Sequence, residues 1–160
     1  MYSGEPIVLR AAACGLRDLP IQVIMTTGTH RHLDETQLGC KADNILIKPW
    51  IPYSELLPMT DVVVTHGGGG TVIACLAAGL PMVVVPLMWD QPENARRVVL
   101  ARAGISLSPK QCSPKRLRDA VEHILATPTY RENAQLLATR LHGYGGALRA
   151  AELLEGIVPM

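Results

Sequence analysis

Between residues 62 and 94 the chain reads VVVTHGGGGTVIACLAAGLPMVVVPLMWDQPEN. Its two short apolar runs, 61–65 and 82–85, show no polar alternation, which suits strands of a parallel sheet covered on both faces. Residues 72–78 between them have helical composition and stop at Gly79 and Pro81, so strand, helix and strand make a right-handed crossover unit. The four glycines lie where strand turns into helix. A run of small residues there lets backbone N–H groups approach an anion, and the helix dipole favours negative charge at the same point. The polar cluster Trp89-Asp90-Gln91 follows one strand later, where a parallel sheet places its second set of ligand contacts. This arrangement points to a nucleotide site.

The rest of the chain repeats the alternation. The patterns predict helices over 6–16, 72–78, 92–103, 114–126, 130–142 and 146–155, with a helical turn near 54–59. A short helix and loop are expected over 31–43. Strands are expected over 21–26, 44–48, 61–65, 82–85 and 105–107. The 160 residues, 48% apolar and 18% charged, suffice for one domain with a substantial core and are too few for two. The expected fold class is α/β: a Rossmann-like parallel sheet of five to six strands flanked by helices, spanning 1–160 as a single domain.

Several function classes fall away. A net charge of +1 with no run of Lys or Arg leaves no electrostatic footprint for nucleic acid or a membrane surface. Residues 72–89 form an uncharged stretch of 18, but Gly79, Pro81 and Pro86 break it as a spanning helix. The opening MYSGEP has neither region of a signal peptide. Cys14, Cys40, Cys75 and Cys112 are scattered without a CxxC pair, so four reduced thiols in a cytoplasmic protein are expected. His30 and His32 read as solvated loop histidines, and His123 and His142 as surface residues on helices. No His/Cys cluster has metal-ligand spacing, and neither DxD nor HExxH occurs, so no metal site is expected. GxxxxGK[ST] and GxSxG are absent too, and Val72 falls where a dinucleotide fingerprint needs Gly or Ala.

What remains is a longer, ordered constellation: Trp50-Ile51-Pro52, His66-Gly-Gly-Gly-Gly-Thr71, Ala78-Gly-Leu-Pro81, Pro86 with Asp90-Gln91, and Asn94-Ala95. It resembles the C-terminal, sugar-nucleotide-binding domain of GT-B glycosyltransferases of the family-1 type. The nearest likeness is to bacterial enzymes that glycosylate macrolides, enediynes and other natural products, and it extends over nearly the whole chain. The resemblance implies that Trp50 stacks on the nucleobase and that Ile51 offers backbone hydrogen bonds to its edge. It implies that His66 and the loop Gly68, Gly69, Gly70, Thr71 hold the diphosphate, and that Asp90 and Gln91 bind sugar hydroxyls. Bland readings stand beside these: Trp50 as a packing residue, Asp90 as a helix cap, the glycines as a mere turn.

The resemblance further implies an inverting, metal-independent transfer to a small-molecule hydroxyl, with the nucleotide sugar as co-substrate and no cofactor. The general base and acceptor pocket would belong to an N-terminal domain with no counterpart here. The chain is therefore expected to be a fragment that also lacks the family's first, central strand. Ala74 stands where relatives using UDP-sugars commonly have a ribose-binding Glu, which points to a dTDP-sugar donor. Two rivals remain: a non-catalytic donor-binding subunit paired with a separate catalytic chain, and a sugar-nucleotide epimerase on the same fold.

Overall fold

A computed structural model describes residues 5–28, 35–40 and 42–157. His30 and His32 lie outside the described residues. The strands are β1 (Val23–Thr26), β2 (Ile45–Lys48), β3 (Val63–Thr65), β4 (Met82–Val84) and β5 (Gly104–Ser106). The helices are α1 (Glu5–Leu16), α2 (Glu35–Leu38), α3 (Tyr53–Leu56), α4 (Gly69–Ala77), α5 (Gln91–Leu100), α6 (Pro114–Ala126), α7 (Pro128–Gly143) and α8 (Gly146–Glu155). All strand pairings are parallel, as the uninterrupted apolar runs require.

β4 is the centre of the molecule. Met82, Val83, Val84 and Val85 are all fully buried, and their alternation divides the core in two. Val83 and Val85 face a cluster with Ala11, Ala13, Leu16, Leu117 and Val121, from α1 and α6. Met82 and Val84 face Val72, Cys75, Ala95 and Val98, from α4 and α5. Each such aliphatic side chain contributes about 1.5–3 kcal/mol by leaving water, so this one strand anchors both layers of helices. α1 and α6 touch closely because Gly15 offers no side chain to the Pro114 carbonyl. Ser113 Oγ accepts from Arg116 N–H and caps α6, as the sequence suggests.

The five strands form two sheets, β1–β2 and β3–β4–β5, in place of the single sheet expected. The ladder phase shows which groups the gap leaves open. Val23 N–H bonds to Asn44 O and Thr27 N–H to Lys48 O, so the polar groups of Ile24 and Thr26 point away from β2. Val63 N–H bonds to Pro81 O, while Thr65 O accepts from Val85 N–H, so those of Val64 point away from β4. No described strand lies between β1 and β3, although the two sheets share the α1–α6 core.

α4 begins at Gly69, three residues earlier than the pattern predicts. Glycine is a poor interior helix residue, but a first turn tolerates it when its backbone is needed elsewhere.

The cysteine expectation is corrected. Cys14 on α1 and Cys40 after α2 form a disulfide, with their Cα atoms 5.4 Å apart, and Cys75 and Cys112 remain free and buried. The two partners are 26 residues apart in sequence, so only the packing of α2 against α1 brings them together. Closing a loop of that length stabilises the folded chain by about 3 kcal/mol through the unfolded ensemble. Dithiothreitol should therefore lower the urea midpoint of the wild type to that of Cys14→Ser and leave the variant unmoved. Equal midpoints in oxidised and reduced wild type would remove the tether.

Candidate nucleotide site at the carboxyl edge of the strands

Parallel strands deliver all their following loops to one edge, and the candidate residues lie there. Trp50 follows β2, His66 and the glycines follow β3, and Trp89, Asp90 and Gln91 follow β4. A hydrogen bond between Tyr53 Oη and Thr71 Oγ1 (2.9 Å) ties the turn after Trp50 to the start of α4. Trp50 is 71% exposed, which removes the reading of it as a core residue. Ile51 beside it is half-buried.

The glycine loop is anchored at Gly67 by a contact that no other residue type would fit. Gly67 has φ of 85°, and a Cβ there would stand 2.6 Å from Val84 Cγ1. Its N–H donates to the buried Thr65 hydroxyl at 3.1 Å. A Cβ on Gly68 would lie 2.8 Å from His66 Nε2, so the imidazole packs over that residue. Gly68 is the N-cap of α4 and brings no side-chain cap. The first intrahelical bond is Val72 N–H to Gly68 O, which leaves the N–H groups of Gly69, Gly70 and Thr71 without a partner inside the helix. Three amides at the positive end of a helix dipole, beside an imidazole, suit an anionic ligand.

The loop after β4 closes the other side. Asp90 precedes α5 but makes no side-chain cap, so the capping role is not the one it plays. Its Oδ2 accepts from Asn94 Nδ2 at 2.8 Å and would be 3.4 Å from a Cβ on Gly69. The carboxylate thus borders the glycine loop. Gln91 is only 4% exposed, and its Oε1 accepts from Leu87 N–H (2.8 Å) and Met88 N–H (3.0 Å). Its carbonyl therefore shapes the loop, and any contact with a ligand falls to the amide nitrogen. The clamp holds Trp89, 78% exposed, at a φ of 54°, a left-handed conformation that a bulky residue adopts at some cost.

Sequence reading assigned no role to Tyr53 or Asn94. Asn94 had a local signal, its i,i+4 spacing from Asp90 on one helix face. Tyr53 had none, since 18 residues separate it from Thr71. Among the described residues no group of three or more His, Cys, Asp or Glu could hold a metal ion. A separate concavity of about 400 Å³ lies at the opposite edge, beside Asp61, Pro81, Thr127 and Arg131. It is remote from the glycine loop, and Arg131 is bound there to Asp61.

Residues 15–143 match the family described as "Erythromycin biosynthesis protein CIII-like, C-terminal domain". Demethyllactenocin mycarosyltransferase of Streptomyces fradiae is 28% identical over 158 residues, 99% of this chain and 34% of the relative. The solved structure of the calicheamicin glycosyltransferase CalG4 is similar with a TM-score of 0.87 and 32% identity, covering 98% of this chain and 40% of that one. Glycosyltransferase VinC, solved in complex with dTDP, gives a TM-score of 0.71 at 27% identity, covering 84% and 32%. The chain spans about a third of the length of the curated relative it matches over 99% of its own residues.

The geometry separates two glycines. Gly67→Ala should destabilise by about 1–3 kcal/mol, from backbone strain and the encounter with Val84. Gly70→Ala, with nothing within 4 Å of its Cβ, should be neutral or stabilise by up to about 1 kcal/mol. Urea unfolding of both variants measures this, and equal effects would contradict the packing described.

Proposed function

From the premise that the chain belongs to the family of erythromycin biosynthesis protein CIII-like C-terminal domains, we propose that it is the donor-binding half of a natural-product glycosyltransferase. The reaction is an inverting, metal-independent transfer of a sugar from a dTDP- or UDP-sugar to a hydroxyl of a small-molecule acceptor. The observation that carries this is the uncapped amide cluster of Gly68–Thr71, with the His66 ring over it and Asp90 at its border.

Each residue then has a physical task. Trp50, exposed after β2, stacks on the nucleobase, with Ile51 presenting its backbone to the base edge. The amides of Gly68, Gly69, Gly70 and Thr71, with the Thr71 hydroxyl, hold the diphosphate. As the glycosidic bond breaks, charge builds on that leaving group, and donors already in place stabilise it without reorganising. His66 adds an imidazole N–H at the same point. Losing one such donor typically costs about 10²–10³ in rate. Asp90, and Gln91 through its amide nitrogen, meet the sugar hydroxyls. Amides and an imidazole supply the positive potential that a divalent cation would otherwise provide, which is the support for metal independence.

The acceptor pocket and general base we assign to a companion acceptor-binding domain, so this chain alone binds donor but transfers little. The same longer protein supplies a strand between β1 and β3, whose facing edges carry the polar groups of Ile24, Thr26 and Val64. In the isolated chain those amides should exchange with solvent faster than those of Met25 and Val63, and equal protection would reject an open slot. We place the protein in the cytoplasm, where charged nucleotide sugars are retained and where the Cys14–Cys40 disulfide meets reductants that keep most thiols free. No helix among the described residues is long and apolar enough to cross a membrane. Ala74, half-buried on α4, offers no hydroxyl-binding group and favours a deoxyribose donor.

Thermal unfolding with thymidine and uridine diphosphates tests the reading. A ligand at a hundred times its Kd stabilises by about 2.7 kcal/mol. Thymidine diphosphate should give a response of that kind, and His66→Ala should lose most of it. Trp50→Ala should weaken binding by the loss of a base stack, about 1–3 kcal/mol. No response to either nucleotide would overturn the assignment, and at least tenfold tighter binding of uridine diphosphate would overturn the donor preference.

A further inference from the structure

Asn94 makes a connection that the functional reading above does not use. Its Nδ2 donates at 2.9 Å to Gly67 O and at 2.8 Å to Asp90 Oδ2. A primary amide has two hydrogens on that nitrogen, so both are spent on one bridge between the glycine loop and the loop after β4. The backbone of Asn94 is fixed as well, since its N–H donates to Asp90 O in the first turn of α5. The bridge starts from a helix and reaches the loops that follow two neighbouring strands.

We propose that Asn94 is a positioning residue that couples the diphosphate loop to the sugar-facing carboxylate. Two consequences of the geometry support this. In a trans peptide the C=O of Gly67 and the N–H of Gly68 point in opposite directions. Drawing the Gly67 carbonyl onto Asn94 therefore turns the Gly68 N–H away from the Asn94 side chain. On the other arm, engaging Oδ2 fixes the Asp90 carboxylate in one rotation and leaves Oδ1 for a ligand. One side chain thus aims an amide donor for the diphosphate and an acceptor for the sugar. Only a double donor can do this. An aspartate at 94 would set a carboxylate against both Asp90 and the Gly67 carbonyl.

The inference rests on the site being a nucleotide-sugar site, and the test separates the two. Hydrogen exchange of Gly67 and Val72, whose N–H groups donate to Thr65 Oγ1 and Gly68 O, reads the tie in the ligand-free chain without any nucleotide. Asn94→Ala should speed it at least fivefold, and Asn94→Asp more, with amides of β4 unchanged. Titration with thymidine diphosphate and with thymidine diphosphoglucose then reads the function. Asn94→Ala should weaken the diphosphate three- to tenfold and abolish the extra affinity conferred by the sugar. Asp90→Ala should abolish that increment alone, and the double variant should lose no more of it than either single change. Asn94→Ser, which keeps one donor, should fall between wild type and Asn94→Ala, and it serves if the alanine variant does not fold. Unchanged exchange in Asn94→Ala, or additive losses of the sugar increment in the cycle, would overturn the proposal. Faster exchange in a chain whose wild type binds neither nucleotide would leave the tie standing and reject the nucleotide-sugar reading instead.

Discussion

The close approach of Gly67 to Val84 governs the site. β4 is buried on both faces, so it cannot move to accommodate the loop, and the loop must come to it without a side chain. That approach fixes a positive φ at Gly67, which only glycine adopts cheaply. Thr65 holds the N–H of the turn and Asn94 its carbonyl, and the following amides are left at the start of α4. The hydrophobic core and the anion-facing backbone are therefore parts of one construction: the strand that anchors both helical layers also seats the loop.

The charge economy of the chain follows from the same design. With a net charge of +1 and no Lys or Arg in the proposed diphosphate contacts, the recognition we propose falls to backbone dipoles and one imidazole. Such donors are pre-oriented and lose little freedom on binding, whereas a lysine must be immobilised from a long flexible stem. A site of fixed dipoles is also suited to charge that grows during a reaction. The Gln91 clamp on Leu87 and Met88 serves this rigidity, fixing the loop that carries Asp90.

Much of this was legible in the residues. The apolar runs gave the parallel strands because burial on both faces leaves no polar alternation, and the glycines marked the loop because few other residues suit such a backbone. Three things were not legible. The Cys14–Cys40 bond depends on how α2 lies against α1, which spacing does not encode. The gap between the two sheets was foreshadowed by the expected lack of a central strand, but that β1–β2 and β3–β4–β5 hold as separate sheets around one core is a property of the assembled fold. Gln91 reads as a polar ligand in sequence, yet its burial and loop contacts emerge only when β4 and α5 are placed together. Conversely, Asn94 stood in the ordered constellation without a role, and its meaning required the Gly67 carbonyl to be within reach.

The most direct measurement is an amide and indole chemical-shift map of the 15N-labelled chain during titration with thymidine diphosphate. The account predicts large, saturable shifts at Gly68–Thr71 and at the Trp50 indole N–H, following one binding curve. Shifts confined to the concavity beside Asp61 and Arg131, with the glycine amides unmoved, would contradict it.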